Sequence, residues 1–423
     1  MILIYRVLTS LIYPFLFIFV YCRRIINKED SKRYKEKLLP SCFNAKRNSS
    51  MKLIWFHAAS IGEFKSIIPI IEKLLINNSN IEVLVTTTTL SSGNLATTEF
   101  KKFNNVHHRF FPFDVDFLIN SFLIAWKPNN IFLVDSEIWP NLILNAKKRK
   151  IPLALINARL TTKTFKRWLR FPKTAKKIFC LFDLCLVSNN ETKEYLEKLN
   201  VKNIHADGNI KLITEIDQNK ITNLNEKFLL SKRFWVAASI HKDEDLFCLK
   251  AHKKIKEKYE DIVTILIPRH IDRTNEINSL SNSLNFETQL LNQDDAILEN
   301  KEVIVINSFG VLQDYFKYAK SVFIGKSILK KFKDDGGQNP IDAAKLNCKI
   351  YHGPYVYNFD EIYKIFKEKD VAKEVKTYEE LSDNLIEDLK NPLKITNNNS
   401  DFIKNLSQKT LVNTMKNINN FIK

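Results

Sequence analysis

The chain is 423 residues long, enough for two or three domains with real cores. Hydrophobic residues make up 45% and charged residues 26%, which excludes wholesale disorder and collagen-like or fibrous classes. Lysine plus arginine outnumber aspartate plus glutamate 65 to 47, a net charge of +18. Such an excess predicts anionic company, meaning nucleic acid, a membrane surface or phosphorylated substrates; drift toward lysine in a Lys-, Asn- and Ile-rich chain is the alternative.

Residues 1–22 are almost all apolar, with Arg6 the only charge. As a helix rising ~1.5 Å per residue they would match ~30 Å of hydrocarbon. The run ends in Cys22-Arg23-Arg24 with no small-x-small cleavage site, so it predicts a retained membrane anchor. Ten basic and three acidic residues follow in 23–52, which puts the protein body on the cytoplasmic side. Pro14 and Arg6 leave an interfacial helix open as well as a spanning one.

Beyond residue 50, short β-branched or aromatic runs alternate with longer amphipathic stretches. Strands are predicted at 53–57, 82–86, 106–111, 131–135, 153–156 and 184–187. A second series is predicted at 234–238, 262–267, 302–306, 321–324 and 348–351. Helical patterns between them include 65–75, 192–199 and 243–259. This alternation implies βαβ units and parallel sheets. The polar stretch 213–232 lacks a strand signal and reads as a linker. The organisation is therefore an anchor (1–22), an α/β domain (23–212), the linker, a second α/β domain (233–396) and a helical tail (397–423). The two Rossmann-like domains are expected to face each other across a cleft.

Ligands of open parallel sheets bind beyond the carboxyl ends of the strands. The chain has only eight glycines, so those present are expected where the backbone needs positive φ or close approach to a ligand. In His57-Ala58-Ala59-Ser60-Ile61-Gly62-Glu63, Glu63 falls in the first turn of a helix. The helix dipole favours its carboxylate there and lowers its basicity; a capping arrangement with Ser60 is the structural alternative. Glu137, in Asp135-Ser136-Glu137-Ile138-Trp139-Pro140-Asn141, is held at another strand's end, with Pro140 suited to a first helical turn. Two such carboxylates could share acid–base work.

Lys211, in Asp207-Gly208-Asn209-Ile210-Lys211, could neutralise a leaving phosphate. Arg269, after Pro268 and before His270, could grip phosphate oxygens bidentately. Gly336-Gly337-Gln338-Asn339-Pro340-Ile341-Asp342 reads as a glycine loop opening a helix. Asn339 would be its N-cap and Pro340 its first residue, with Asp342 reaching ribose hydroxyls or closing a capping box with Asn339.

Residues 159–177 carry eight positive charges and no negative one. Arg159, Lys163, Lys166, Arg167, Trp168 and Arg170 form a candidate patch for a membrane or phosphorylated lipid, with Leu169 and Phe171 interleaved. The six cysteines are scattered without C-x-x-C spacing and fit a reducing compartment. There is no H-E-x-x-H or G-x-S-x-G, and His107-His108 are adjacent on a strand and point to opposite faces, so no metal is expected.

In order along the chain, WFHAASIGE, TTTTLSSG, DSEIWPN, INARL, DGNIK, AASIHKDE, IPRHIDR and GGQNPIDAA resemble the 3-deoxy-D-manno-octulosonic acid (Kdo) transferases of lipopolysaccharide biosynthesis. The resemblance runs from residue 1 to about residue 365. It implies a metal-free, cofactor-free GT-B glycosyltransferase at the cytoplasmic face of the inner membrane. Such an enzyme moves Kdo from CMP-Kdo to the lipid A precursor, lipid IVA, with inversion, and has no nucleic-acid partner. Glu63 matches the family's general base, and Glu137 and Lys211 match positions that stabilise the transition state. Pro268, Arg269, Ser308, Phe309, Gly310, Asn339, Pro340, Ile341 and Asp342 match CMP-binding segments.

The chain departs from the family pattern in four places. Val311 follows Gly310 where Glu is usual, and 326–335 is extended. Gln338 stands for His, and Asp342 for Glu. The rival readings are another GT-B nucleotide-sugar transferase, a nucleotide-sugar epimerase, and a non-enzymatic polyanion-binding membrane protein.

Overall fold

In a computed structural model the described residues are 1–44, 47–391 and 399–423. The expected end of the second domain and the Asn-rich start of the tail, 392–398, lie outside them. The chain forms two compact units, one of residues 1–214 with 407–423 and one of residues 215–406.

The first unit is built on seven parallel strands: β1 (Lys52–His57), β2 (Ile81–Thr87), β3 (Val106–Phe110), β4 (Asn130–Val134), β5 (Leu153–Ala158), β6 (Leu184–Val187) and β7 (Ile204–His205). Their spatial order is β3-β2-β1-β4-β5-β6-β7. The second unit repeats the plan with β8 (Arg233–Ile240), β9 (Ile262–Pro268), β10 (Thr288–Leu291), β11 (Val303–Ile306), β12 (Ser321–Ile324), β13 (Lys349–His352) and β14 (Ala372–Glu374), ordered β10-β11-β9-β8-β12-β13-β14. Strand order reverses between β1 and β4 in one sheet and between β8 and β12 in the other. These are the switch points where such sheets open a crevice for ligands.

Central strands read as apolar runs because helices cover both their faces. Along β1, Leu53 and Trp55 enter one core cluster, while Ile54 and Phe56 enter the other. All eleven predicted strands are present within two residues at either end. The sequence reading missed β7, β10 and β14. These short strands lie at or next to a sheet edge and are only partly buried, so they carry no apolar run.

The stretch expected to be a linker is structured. Ile213 joins the first core, and Ile221, Phe228 and Leu229 are buried. The final helix, Asn399–Ile422, is part of a core. From Ser407 it belongs to the first unit, where Met415 and Ile418 are buried and Phe421 packs edge-on against Phe132 with centroids 5.3 Å apart.

The N-terminal helix, Ile2–Ile25, is long and apolar enough to cross a membrane. It is nevertheless fastened along one stripe to the first unit. Tyr5 Oη donates to Asp114 (2.9 Å), Asn141 Nδ2 donates to Thr9 Oγ1 (3.3 Å), and Tyr13 Oη donates to the Leu38 carbonyl (2.8 Å). Leu16 packs on the core, and Val20 is fully buried. Residues 5, 9, 13, 16 and 20 recur at helical spacing. The opposite face exposes Leu3, Leu11, Phe15 and Ile18.

Replacing Ile418 by Ala removes buried volume from the first core. The expected loss is about 2–5 kcal/mol, read as a lower urea midpoint of the transition that reports the first unit. An unchanged midpoint would mean the final helix does not stabilise that unit.

Candidate functional site

The carboxyl ends of β1 and β4 gather the acidic residues of the first unit. After β1 the chain turns into the helix Ile61–Asn77 with Ser60 as N-cap. Ser60 and Glu63 form a capping box: the Glu63 N–H donates to Ser60 Oγ (3.3 Å), and Glu63 accepts from Ser60 Oγ–H (2.8 Å) and from the Ala59 N–H (2.8 Å). The helix start therefore fixes the Glu63 carboxylate, which remains half-buried.

Burial, and secondarily the charges of Asp135 and Glu137, raise the Glu63 pKa above the ordinary carboxylate value. This corrects the expectation that the helix terminus would lower its basicity. Desolvation and like charges outweigh the stabilising hydrogen bonds. Gly62, in the same turn, has neither positive φ nor a close neighbour, so its glycine is not required by either criterion.

Two carboxylates come from β4. Asp135 is buried and takes a left-handed backbone (φ 61°), a conformation Asp tolerates better than most residues. Its carboxylate pairs with Lys211 Nζ at 3.2 Å. Asn157 Oδ1 accepts the Ile210 N–H (3.0 Å) and so docks the turn that carries Lys211. Lys211, expected to serve a leaving phosphate, thus sits in an ion pair with Asp135.

Glu137 Oε2 accepts from Trp139 Nε1 (2.7 Å) and lies 3.2 Å from His57 Nε2. The helix after it begins at Pro140 as predicted. Asp135, His57, Trp139 and Thr86 were not identified as site residues. His57 meets Thr86 and Glu137 because β1 lies between β2 and β4, which no local pattern encodes.

The basic segment forms two short helices, Thr162–Trp168 and Pro172–Phe179. Lys163, Lys166, Arg167 and Arg170 are exposed on it. Trp168 packs edge-on against Phe179 (5.2 Å) and is half-buried, so it leans into the core. Leu169 and Phe171 are the apolar residues displayed. Arg159 is set apart, since its N–H donates to the Asp135 carbonyl (3.3 Å) and its carbonyl accepts from Ser136 Oγ (2.8 Å).

In the second unit the corresponding carboxylate is Glu244, just after β8. It is fully buried and accepts the N–H groups of His241 (2.9 Å), Lys326 (2.6 Å), Ser327 (2.8 Å) and Ile328 (3.2 Å). It therefore ties the end of β8 to the end of β12. Gly325 is required at this junction, since a Cβ there would stand 2.6 Å from Ile240 Cα and 2.9 Å from Glu244 Oε2. The sequence signal was available, because Ser60-x-x-Glu63 and His241-x-x-Glu244 follow equivalent strands.

His241 is pushed down to about 4 by burial and then by Lys326, His270, Arg269 and Arg273, which marks an electropositive corner. Arg269 is exposed just beyond Pro268, at the end of β9, and its N–H donates to the Ile240 carbonyl. The extended segment 326–335 folds back, with Phe332 buried 5.5 Å from the His241 ring and the Gly337 N–H donating to the Lys326 carbonyl (2.6 Å).

The helix after the glycine loop begins at Ile341, with Pro340 as N-cap. Asn339 is therefore not the N-cap itself, although its Oδ1 accepts the Ile341 N–H (3.0 Å). The Asn339–Asp342 capping box is not formed, because Asp342 accepts from Gln313 Nε2 (3.0 Å). Ser308, Phe309 and Gly310 follow β11, where Phe309 is 67% exposed and Gly310 takes φ 83°. Arg269, the Ser308–Gly310 turn and the 339–342 segment thus follow β9, β11 and β12 at one sheet edge.

The family model described as 3-deoxy-D-manno-octulosonic-acid transferase (kdotransferase) matches residues 32–214. A 3-deoxy-D-manno-octulosonic acid transferase of Rickettsia bellii is 29% identical over 411 residues, covering 96% of this chain and 94% of that protein. One from Haemophilus influenzae is 28% identical over 348 residues, covering 80% and 79%. In structure, a glycosyltransferase from Rickettsia africae superposes with a TM-score of 0.60 at 12% identity, covering 88% of this chain and 99% of that one. That likeness establishes the GT-B-type fold. Residues 32–214 thus match the kdotransferase domain, and over most of its length the chain is similar to 3-deoxy-D-manno-octulosonic acid transferases, which sets aside a purely non-enzymatic polyanion binder and supports a glycosyltransferase enzyme.

Proposed function

We propose that this enzyme transfers Kdo from CMP-Kdo to the phosphorylated lipid A precursor, lipid IVA, by an inverting displacement with Glu63 as general base. The observation that carries the reading is Glu63 itself: a carboxylate fixed at a switch point, with its pKa raised by burial and by two acidic neighbours. The acceptor hydroxyl gives its proton to Glu63 as its oxygen bonds to the anomeric carbon. The bond from that carbon to the CMP phosphate oxygen breaks, and CMP leaves with the electron pair. A base whose pKa is raised toward the working pH takes that proton more readily.

Glu137 supplies negative charge for the positive charge that develops on the sugar. Lys211 tempers the acidic corner through Asp135. In the second unit, Arg269 and the electropositive corner around His241 suit the phosphate. The exposed Phe309 ring beside Gly310 offers a face for the base, and Asp342 and the 339–342 backbone suit the ribose. No metal ion has a role in this scheme.

We also propose that the N-terminal helix lies in the membrane interface at the cytoplasmic face of the inner membrane. Its polar stripe is already bonded to the first unit, and its outer face is apolar. The basic segment around Lys166 and Arg170 suits anionic headgroups or the phosphates of the acceptor.

Mass spectrometry of products from CMP-Kdo and lipid IVA tests the chemistry. Wild type should add Kdo, and Glu63→Gln should lower kcat by about 10²–10⁴-fold while remaining folded. Equal turnover would remove Glu63 from the mechanism. On vesicles of phosphatidylethanolamine and phosphatidylglycerol, the double change Leu11→Asp and Phe15→Asp should weaken binding at least about tenfold, since each exposed side chain buries roughly 1.5–3 kcal/mol of apolar surface. Unchanged binding would place membrane attachment elsewhere.

A further inference from the structure

His57 ends β1 and is fully buried, its ring stacked on Phe111 with centroids 3.9 Å apart. Glu137 makes its contact at Nε2 (3.2 Å), and Thr86 Oγ1 lies 2.9 Å from Nδ1. Thr86 is paired with His57 in the β1–β2 register and is also fully buried. A hydroxyl has one proton to give. Among the described residues Thr86 Oγ1 has two partners, Trp55 Nε1 (2.9 Å), which can only donate, and His57 Nδ1, so the ring nitrogen is the acceptor available to the buried hydroxyl proton. The Thr86 carbonyl, 3.2 Å from the same nitrogen, already accepts the Ala58 N–H (3.0 Å).

With Nδ1 as acceptor, the ring proton belongs on Nε2, where it meets the Glu137 carboxylate. The other neutral tautomer would set a nitrogen lone pair against a carboxylate oxygen. The Thr86 hydroxyl at Nδ1 and the Glu137 carboxylate at Nε2 therefore both favour one direction, from Trp55 through Thr86 and His57 to Glu137.

We propose that His57 is a positioning residue, locked by Thr86 as the neutral Nε2–H tautomer, and that it aims the Glu137 carboxylate at the reacting sugar. This rests on the proposed role of Glu137. His57 and Trp139 both donate to Oε2. Oε1 has no hydrogen-bond partner among the described residues, and the Glu137 side chain keeps 17% exposure. The carboxylate is thus held by one oxygen and offered by the other. A displacement of about 1 Å at such a group costs on the order of 10²-fold in rate.

The test uses the full chain. Nitrogen-15 NMR of the histidine side chains should show His57 protonated at Nε2 alone in the wild type. In Thr86→Val, which keeps the shape and removes the hydroxyl proton, Nδ1 loses the donor that keeps it bare and should gain a proton directed at the residue-86 carbonyl, while Nε2 keeps its own against Glu137. In kinetics, His57→Gln, whose amide nitrogen can reach the Nε2 position, should retain more kcat than His57→Asn, which should fall on the order of 10²-fold with the donor KM little changed. A wild-type ring protonated at Nδ1 or at both nitrogens would overturn the proposal, and so would equal kcat in the Gln and Asn variants. If wild type transfers no Kdo, the proposed function fails, while the tautomer spectrum still decides the proton's place. If a His57 variant does not fold, the wild-type and Thr86→Val spectra suffice.

Discussion

Three carboxylates are gathered at the carboxyl ends of two adjacent strands, and most of the first unit's site follows from how they are kept there. Glu63 is held by the start of a helix, Asp135 by an ion pair with Lys211, and Glu137 by the donors His57 and Trp139. Each constraint fixes a position, and together they leave one carboxyl group, that of Glu63, partly desolvated among like charges. Such a group opposes folding when ionised. Its favourable contribution is present below the ordinary carboxylate pKa and is lost as pH rises through the raised folded value. This is the sense in which the acid corner stores free energy at the carboxylate proposed as the base.

The second unit meets the same topological problem with a different use of the same residue type. Glu244, placed like Glu63 after the first strand of its sheet, is wholly committed to four backbone N–H groups. It welds the β8 and β12 ends into a frame for the cations around His241. One switch-point glutamate stays partly exposed and the other is spent on structure. A partly exposed carboxylate with a raised pKa can exchange a proton with a substrate. A fully buried one satisfied by four donors has no route to do so.

The readability of the chain followed how locally each feature is encoded. Strands covered on both faces advertise themselves as apolar runs, and the helix starts at Ser60 and Pro140 have their own cap chemistry. These local signals suffice to put Glu63 and Glu137 at strand ends. Edge strands such as Ile204–His205 and Ala372–Glu374 carry no such run. Glu137, His57 and Thr86 become partners only once β2, β1 and β4 are neighbours, with about eighty residues of sequence between His57 and Glu137. Trp168 read as a membrane residue because its neighbours are basic, yet its ring turns toward Phe179. The final helix read as a tail because periodicity shows that a face is apolar and not which core it enters. Asp342 read as half of a capping box until Gln313, from another helix, took its oxygen.

The most direct test is a carbon-13 carboxyl NMR titration of Glu63 in the intact protein and in Asp135→Asn. If burial and acidic crowding set this group, the Glu63 carboxyl ionises above the ordinary value of 4.5 in the wild type and at lower pH in the variant. Ionisation at or below the ordinary value in the wild type, with no response to loss of Asp135, would contradict the account.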